Sequence, residues 1–309
     1  MTHSRKEIDI GGKLTHVDVI TAAGTDVIVR GTAIKVARTE GDGYEAIEDP
    51  ASLIDELRRP RGTPDIFTFA EVNPDAGRRH PYPLEWESIA ALPISTFDHW
   101  WHKQIPQETR TGVRKAEKKG VTVRVVEYTD DLVKGIQRIY DESPVRQGKP
   151  FWHYGRDFDT LKKIHATFLE SSDFIGAYDE GELVGFMKLV YSKYCAGTMN
   201  ILARIDRRDK RIMNALVAKA VDVCAARRVP YLTYCMWSTG GLGEFKTRNG
   251  FQKVDLPRYY VPLTRTGRIA VALKLHRGLR GMLPPAVKDH LVHLRSKWYS
   301  VRSLALKHS

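Results

Sequence analysis

The chain has 309 residues, 42% of them hydrophobic and 28% charged, with 49 Lys and Arg against 37 Asp and Glu for a formal charge of +12. This is an ordinary globular composition, with enough apolar residues to bury one large core or two small ones. No apolar run reaches the length of a membrane span, and Met1-Thr2-His3-Ser4-Arg5-Lys6-Glu7 is too polar to open a secretory signal, so the expected location is cytoplasmic. Cys195, Cys224 and Cys235 are widely spaced among apolar neighbours without a C-x-x-C pair. They read as buried reduced thiols, and no metal is expected.

In chain order, residues 14–20 and 26–36 alternate as two strands around Ala22-Ala23-Gly24 and predict an opening hairpin. Residues 50–59 read as a helix, and 65–70 and 84–91 as strands separated by the turn Asn73-Pro74-Asp75-Ala76-Gly77. No catalytic motif stands in this N-terminal part. Residues 95–104 and 108–119 read as helices split by Pro106, the second closed by Gly120, with Trp100 and Trp101 as packing residues. The pattern then predicts a strand over 121–127, helices over 130–140 and 158–169, and a hairpin of 174–178 with 183–191 through Asp179-Glu180-Gly181. A strand over 197–205, a long helix over 210–226, a strand over 231–236 and a short helix over 242–249 follow. The fold class is mixed α/β.

Residues 265–309 hold ten Lys and Arg against one acid, Asp289, and so carry +9 of the +12. After Pro284-Pro285, Val287, Leu291, Leu294, Trp298 and Val301 recur at intervals of four and three, which predicts a basic amphipathic helix. Three roles stay open for it. It docks its stripe on the domain, lies on an anionic membrane surface as a peripheral contact, or meets tRNA phosphates.

Phe245-Lys246-Thr247-Arg248-Asn249-Gly250-Phe251 follows shortly after the apolar run Tyr231-Leu232-Thr233-Tyr234. It resembles the end of a domain of the GNAT superfamily of acyl-CoA N-acyltransferases, in which a short helix ending in Gly-Phe follows the fifth strand and carries a tyrosine that protonates the departing thiolate. Lys246 stands in that tyrosine's place. Phe-Lys with a short run to Gly or Phe is similar to the Fem-type aminoacyl transferases, which share the GNAT fold and extend peptidoglycan side chains. The helix Thr109-Arg110-Thr111-Gly112-Val113-Arg114-Lys115-Ala116-Glu117-Lys118-Lys119 is similar to the Arg- and Lys-rich helix before the second GNAT-like half of Fem-type and related polysaccharide-cluster acetyltransferases. The resemblance implies a β-rich region over 1–105 holding a reduced first GNAT-like half, a GNAT-like catalytic domain over 106–263 and a basic helical tail over 264–309. The coiled-coil insertion that Fem-type proteins use for tRNA is not apparent.

GNAT proteins usually bind pyrophosphate with a glycine-rich turn at the start of the long helix, where bare N–H groups and the helix dipole favour an anion. Here Asp209, Arg211 and Met213 fill the glycine positions, so phosphate would be held by charge, and Arg207, Arg208, Lys210, Arg211, Asn214 and Phe245 are the expected donor-binding residues. Glu142-Ser143-Pro144-Val145-Arg146-Gln147-Gly148-Lys149-Pro150-Phe151-Trp152-His153-Tyr154 joins breakers, cations and aromatics between two helices. Its expected acceptor-binding residues are Arg146, Gln147, Lys149, Trp152 and Tyr154. The expected reaction is attack of a primary amine, on a small-molecule or sugar-linked cell-envelope acceptor, upon an acyl-CoA such as acetyl-CoA, or upon an aminoacyl-tRNA. Lys246 is the leading catalytic residue, for an oxyanion or a leaving oxygen; His153, Tyr234 and Glu244 are the other candidates, and Asp206 is a weaker one. A non-catalytic GNAT-fold module that binds nucleic acid or a membrane surface is the reading from a different class.

Overall fold

The computed structural model describes residues 2–10, 13–59, 63–146 and 149–277. The expected amphipathic helix after Pro284-Pro285 lies outside them, as does Gln147. The chain opens with a meander, β1 (Thr2–Ile10), β2 (Lys13–Ala22), β3 (Thr25–Arg30) and β4 (Val36–Thr39). The expected hairpin is β2 and β3, turned by Ala23 at φ 46° and Gly24 at φ 72°. Two left-handed residues give the mirror-image turn whose twist suits a tight hairpin. The second strand is shorter than expected, because the chain leaves it at Gly31, φ 104°, and starts β4 at Val36. The edge strand β1 is also additional.

Helix α1 (Pro50–Leu57) starts with Asp49 accepting from the Ser52 N–H at 3.0 Å and buries Leu53, Ile54 and Leu57. Next come β5 (Ile66–Ala70), β6 (Leu84–Pro93), and α2 (Phe97–His99), which continues into a π-helical turn at Trp100–Gln104, so the single helix expected over 95–104 is two short pieces. After α3 (Gln107–Lys118) and β7 (Thr122–Val126), α4 (Asp130–Tyr140) is capped by Thr129. A small ribbon, β8 (Val145–Arg146) with β9 (Lys149–Pro150), leads to α5 (Phe158–His165). The long hairpin β10 (Ser172–Asp179) and β11 (Glu182–Tyr191) precedes β12 (Ala196–Ala203), α6 (Ile212–Ala226), β13 (Tyr231–Met236), α7 (Gly240–Arg248), β14 (Gln252–Pro262) and α8 (Arg265–Ala272).

Twelve strands form one sheet in the order β1-β2-β3-β4-β5-β14-β6-β13-β12-β11-β10-β7. Its parallel pairs are β4 with β5 and β12 with β13. Each follows a meander and a crossover helix: β2-β3-β4, α1, β5 in the first part, and β10-β11-β12, α6, β13 in the second. The same order thus appears twice, the first time in shorter form. The two parts share the sheet, since β14 lies between β5 and β6, and β6 between β14 and β13.

The second part buries both faces of its strands. Val184, Met187 and Leu189 of β11 belong to a core built on α6 with Trp100, whereas Leu183 and Phe186 pack with Leu132, Val133, Ile136, Ile139 and Tyr140 of α4. A separate core under α1 joins Phe67 and Phe69 of β5 to Tyr259 and Val261 of β14. At about 25 cal/mol per Å² of apolar area removed from water, these layers supply the main force that holds both parts to one sheet.

Candidate active site at the split between two parallel strands

Strands β12 and β13 pair only at Ala196↔Leu232 and Gly197↔Thr233, and then separate. Each is irregular where they part. The register of β11 against β12 runs from Lys188↔Asn200 to Leu189↔Thr198, leaving Met199 as an extra residue. That of β13 against β6 runs from Thr233↔Ala91 to Met236↔Ile89, with Cys235 at φ 47°. Bulges bend strands and interrupt pairing, so the facing edges beyond Thr198 and Tyr234 have no mutual ladder. The split opens toward the carboxyl ends of both strands, where open α/β sheets bind ligands at a switch point. Helix α6 follows β12 and α7 follows β13, so both helices begin at that end.

Neither α6 nor α7 has a side-chain cap, which leaves their first N–H groups and positive dipole ends available to an anion. The expected start of the long helix at Lys210 is corrected: Arg208–Lys210 is a 3-10 turn, and Arg211 at φ 57° precedes α6, which starts at Ile212. Lys119 pairs with Asp209, while Lys210 lies 2.5 Å from buried Asp179 and Arg207 lies 3.9 Å from both Asp179 and Asp206. Arg207 and Lys210 therefore fasten the loop. Arg208 and Arg211 are exposed, with no ion pair among the described residues. A cleft of about 190 Å³ between α3, α6 and α7 brings Arg211, Asn214, Gly241, Glu244 and Phe245 together. Asn214 is steadied by an Nδ2 donation to Asn249 Oδ1 at 3.4 Å.

Lys246 lies on the inner side of α7 and is 1% exposed. Its Nζ donates to Met236 O at 2.7 Å and Ser238 Oγ at 3.1 Å, and sits 4.6 Å from the centre of the Tyr234 ring. Desolvation holds its pKa below the usual lysine value, opposed by neighbouring Cys235. The ammonium thus ties the end of β13 to the start of α7. The turn is tight: a Cβ on Gly243 would lie 2.1 Å from Ser238 O. Tyr234 is half-buried, and burial followed by Cys235 raises its pKa well above the usual phenol, so its hydroxyl remains a proton donor. Glu244 points elsewhere, exposed and 3.9 Å from Arg248.

A second cleft, about 220 Å³, is bordered by Trp152, His153, Thr198, Asn200, Tyr234 and Cys235. It brings His153 and Tyr234 to one place, with His153 stacked on Tyr140 at 4.6 Å. Trp152 is exposed at its rim, whereas Lys149 and Tyr154 are exposed outside its lining. Arg146 donates to Ala203 O at 3.0 Å, Ile139 O at 2.6 Å and Glu142 Oε2 at 3.1 Å, and therefore braces the loop. Among the cysteines, Cys195 and Cys224 are buried as expected. Cys235 is exposed instead, because the bulge carries it out of the ladder to the mouth of the split.

Several groups here had escaped sequence reading. Lys188, in the otherwise apolar run of β11, is fully buried and donates to His165 O at 2.9 Å and to Thr167 O, closing the end of α5. A charge at that point of an apolar strand is the signal that marks it. Burial pulls its pKa to about 8. His165, also fully buried, lies 3.2 Å from the Tyr140 hydroxyl; burial, then Lys188 and His153, push its pKa down to about 3. Its folded pKa is below the unfolded value near 6.5, so the unfolded chain takes up the proton first and stability falls with pH below about 6.5, by up to about 1.4 kcal/mol per pH unit. Urea midpoints measured from pH 6.5 to 5, above the carboxylate range, are expected to drop for the natural protein and to flatten for His165→Gln. Equal slopes would contradict this.

No family model matches the sequence, and no curated protein matches it. Solved structures do. The C-terminal domain (DUF2156) of a candidate lysylphosphatidylglycerol synthetase from Agrobacterium fabrum is similar with a TM-score of 0.55 and 15% identity, over 86% of this chain and 91% of that one. L-PGS from Bacillus licheniformis gives 0.56 and 15%, over 84% and 88%. FemX gives 0.58 and 9%, over 88% and 90%. At these identities the likeness is one of fold, and the fold is the GNAT fold.

Proposed function

We propose that this protein is an N-acyltransferase that moves an acyl group from acyl-CoA to a primary amine of a cell-envelope or sugar-linked acceptor. One observation carries the reading: the split between β12 and β13 opens toward two uncapped helix N-termini, with Arg208 and Arg211 exposed beside the first. That arrangement suits a donor whose phosphates rest at the helix ends while its acyl arm lies along the unpaired strand edges. The neutral amine attacks the thioester carbon, a C–N bond forms as the C–S bond breaks, and the amine's surplus proton passes to water. Tyr234, kept protonated by its surroundings, is positioned to protonate the departing thiolate.

Arg211 and Lys246 favour a second donor, an aminoacyl-tRNA. A side chain at Arg211 narrows the approach to the helix start that glycine would leave open, and an ammonium near the split suits a leaving oxygen more than a thiolate. The fold likeness to FemX joins the Fem-type pattern at Phe245-Lys246 in keeping with it. Single-turnover assays with labelled acetyl-CoA and with charged tRNA, each with a panel of amines, separate the two. Amide product from acetyl-CoA supports the first, and product from charged tRNA alone supports the second. Tight binding of nucleic acid that weakens steeply with salt, without product from either, would instead favour a binding module.

A further inference from the structure

The split is also bordered by the first part of the chain. A Cβ on Gly197 would lie 2.7 Å from Tyr44 Cδ1, so the Tyr44 ring covers β12 just before it leaves β13. Beneath it lies a cleft of about 220 Å³ that shares Thr198 and Cys235 with the His153 cleft and is otherwise bordered by Asp42, Tyr44, Glu71, Glu87 and Arg258. Through Ala70 and Glu71 it adjoins a larger cleft of about 710 Å³. The larger cleft, the smaller one and the split thus border one another through shared residues.

Three carboxylates face one guanidinium in the smaller cleft, and they are unequally compensated. Asp42 is 2.8 Å from Arg258 and 4.0 Å from Arg38, and Glu87 is 2.7 Å from Arg258. Glu71 is held differently: its Oε1 accepts from the N–H groups of Val72 at 3.0 Å and Asn73 at 3.1 Å, while among the described residues Oε2 has only Arg79, at 3.9 Å. With its side chain 10% exposed, Glu71 presents an anchored and poorly neutralised oxygen. A second, independent feature is Thr198, 2% exposed, whose hydroxyl has no partner among the described residues although the residue borders the cleft. A buried hydroxyl left unpaired costs free energy, and a ligand N–H would relieve it.

The geometry points to this cleft as a binding site for a primary ammonium group, held by Glu71 Oε2 and the Thr198 hydroxyl. On the acyltransfer reading, from which the ammonium takes its identity as the acceptor amine, the larger cleft holds the remainder of that acceptor and the nitrogen arrives beside the split. A metal ion fits less well, because no cluster of three or more His, Cys, Asp or Glu suited to one exists among the described residues. The first part of the chain, which carries no catalytic motif, then selects the acceptor.

Binding is tested without turnover, by calorimetric titration of the full chain with butylammonium chloride and with butan-1-ol at constant ionic strength. Butylammonium is expected to bind and butanol to bind at least tenfold more weakly, since a charged hydrogen bond is the stronger kind. Glu71→Gln, which keeps an oxygen for Val72 and Asn73, weakens butylammonium by about tenfold, whereas Glu117→Gln, exposed on α3 and outside both clefts, leaves it unchanged. Thr198→Val separates ligand from scaffold: it raises the melting temperature of the free protein by removing an unpaired hydroxyl, yet weakens the amine severalfold. If Glu71→Gln does not fold, Thr198→Val decides. No binding, equal affinity for butanol, or an equal loss in Glu117→Gln overturns the site, and so does unchanged affinity in Thr198→Val or in a folded Glu71→Gln. Because no acyl donor is present, a failure here is distinct from a failure of the acyltransfer reading.

Discussion

Lys246→Met is expected to lower acyl transfer by about a hundredfold or more, the scale set by losing one preorganised electrostatic group near a reacting centre. Methionine matches the length of lysine and removes the charge. Ser238 Oγ then loses its donor where Lys246 was 1% exposed, Met236 O keeps the Ser238 hydroxyl at 3.3 Å but loses the ammonium, and Tyr234 loses the cation 4.6 Å from its ring. The lost charge-assisted hydrogen bonds alone cost about 1–3 kcal/mol of stability. Lys246 acts as a positioning residue, holding the β13–α7 turn and the phenol together, so the pH dependence should move as well. In Lys246→Met the alkaline limb set by loss of the Lys246 proton, which burial brings below the usual lysine range, is expected to disappear from the kcat profile. Kinetics and urea denaturation on the same preparation check this. A variant that loses stability but keeps its turnover and pH profile would reduce Lys246 to a structural tie.

Trp100→Ala carries the largest expected loss of stability, about 3–5 kcal/mol, as for other fully buried tryptophans. The indole is 0% exposed, and Nε1 donates to Asn249 O at 3.0 Å. Asn249, also fully buried, closes α7 by donating from Nδ2 to Phe245 O at 2.7 Å. One side chain from the π-helical turn thus fixes the far end of the helix that carries Lys246. Denaturant titration should show the drop, and donor binding at the Phe245 cleft should weaken with it. A loss below about 1 kcal/mol would mean that the site collapses around the missing ring.

Where one face of a segment is buried, its pattern was legible. The apolar helix over 212–226 and the β10–β11 hairpin emerge close to their expected limits because packing imposes a period on their side chains. Strand β1 leaves no such trace: its first five residues are exposed, and neighbours in the sheet set its conformation. Strand β14 carries Pro257 and several charges, and its place between β5 and β6 is decided by residues far away in sequence. The fold name came through the resemblance at Phe245-Lys246, not from periodicity. Of the candidate site, Arg211, Asn214, Glu244 and Phe245 do meet in one cleft, and His153 and Tyr234 in another. Asp42, Tyr44 and Glu71 were invisible because their chemistry depends on a β12–β13 split that no local pattern announces.

The most direct test of the account is a thermal-shift titration of the full chain with acetyl-CoA and CoA, alongside Arg211→Glu. Arg211 is exposed and unpaired among the described residues, so reversing its charge should leave the free protein folded. A ligand that binds the native state raises the melting temperature with concentration. The expected result is a saturable rise for the natural protein that Arg211→Glu removes or greatly reduces. No rise at millimolar acetyl-CoA, or an equal rise in Arg211→Glu, would contradict a donor held by its phosphates at the start of α6.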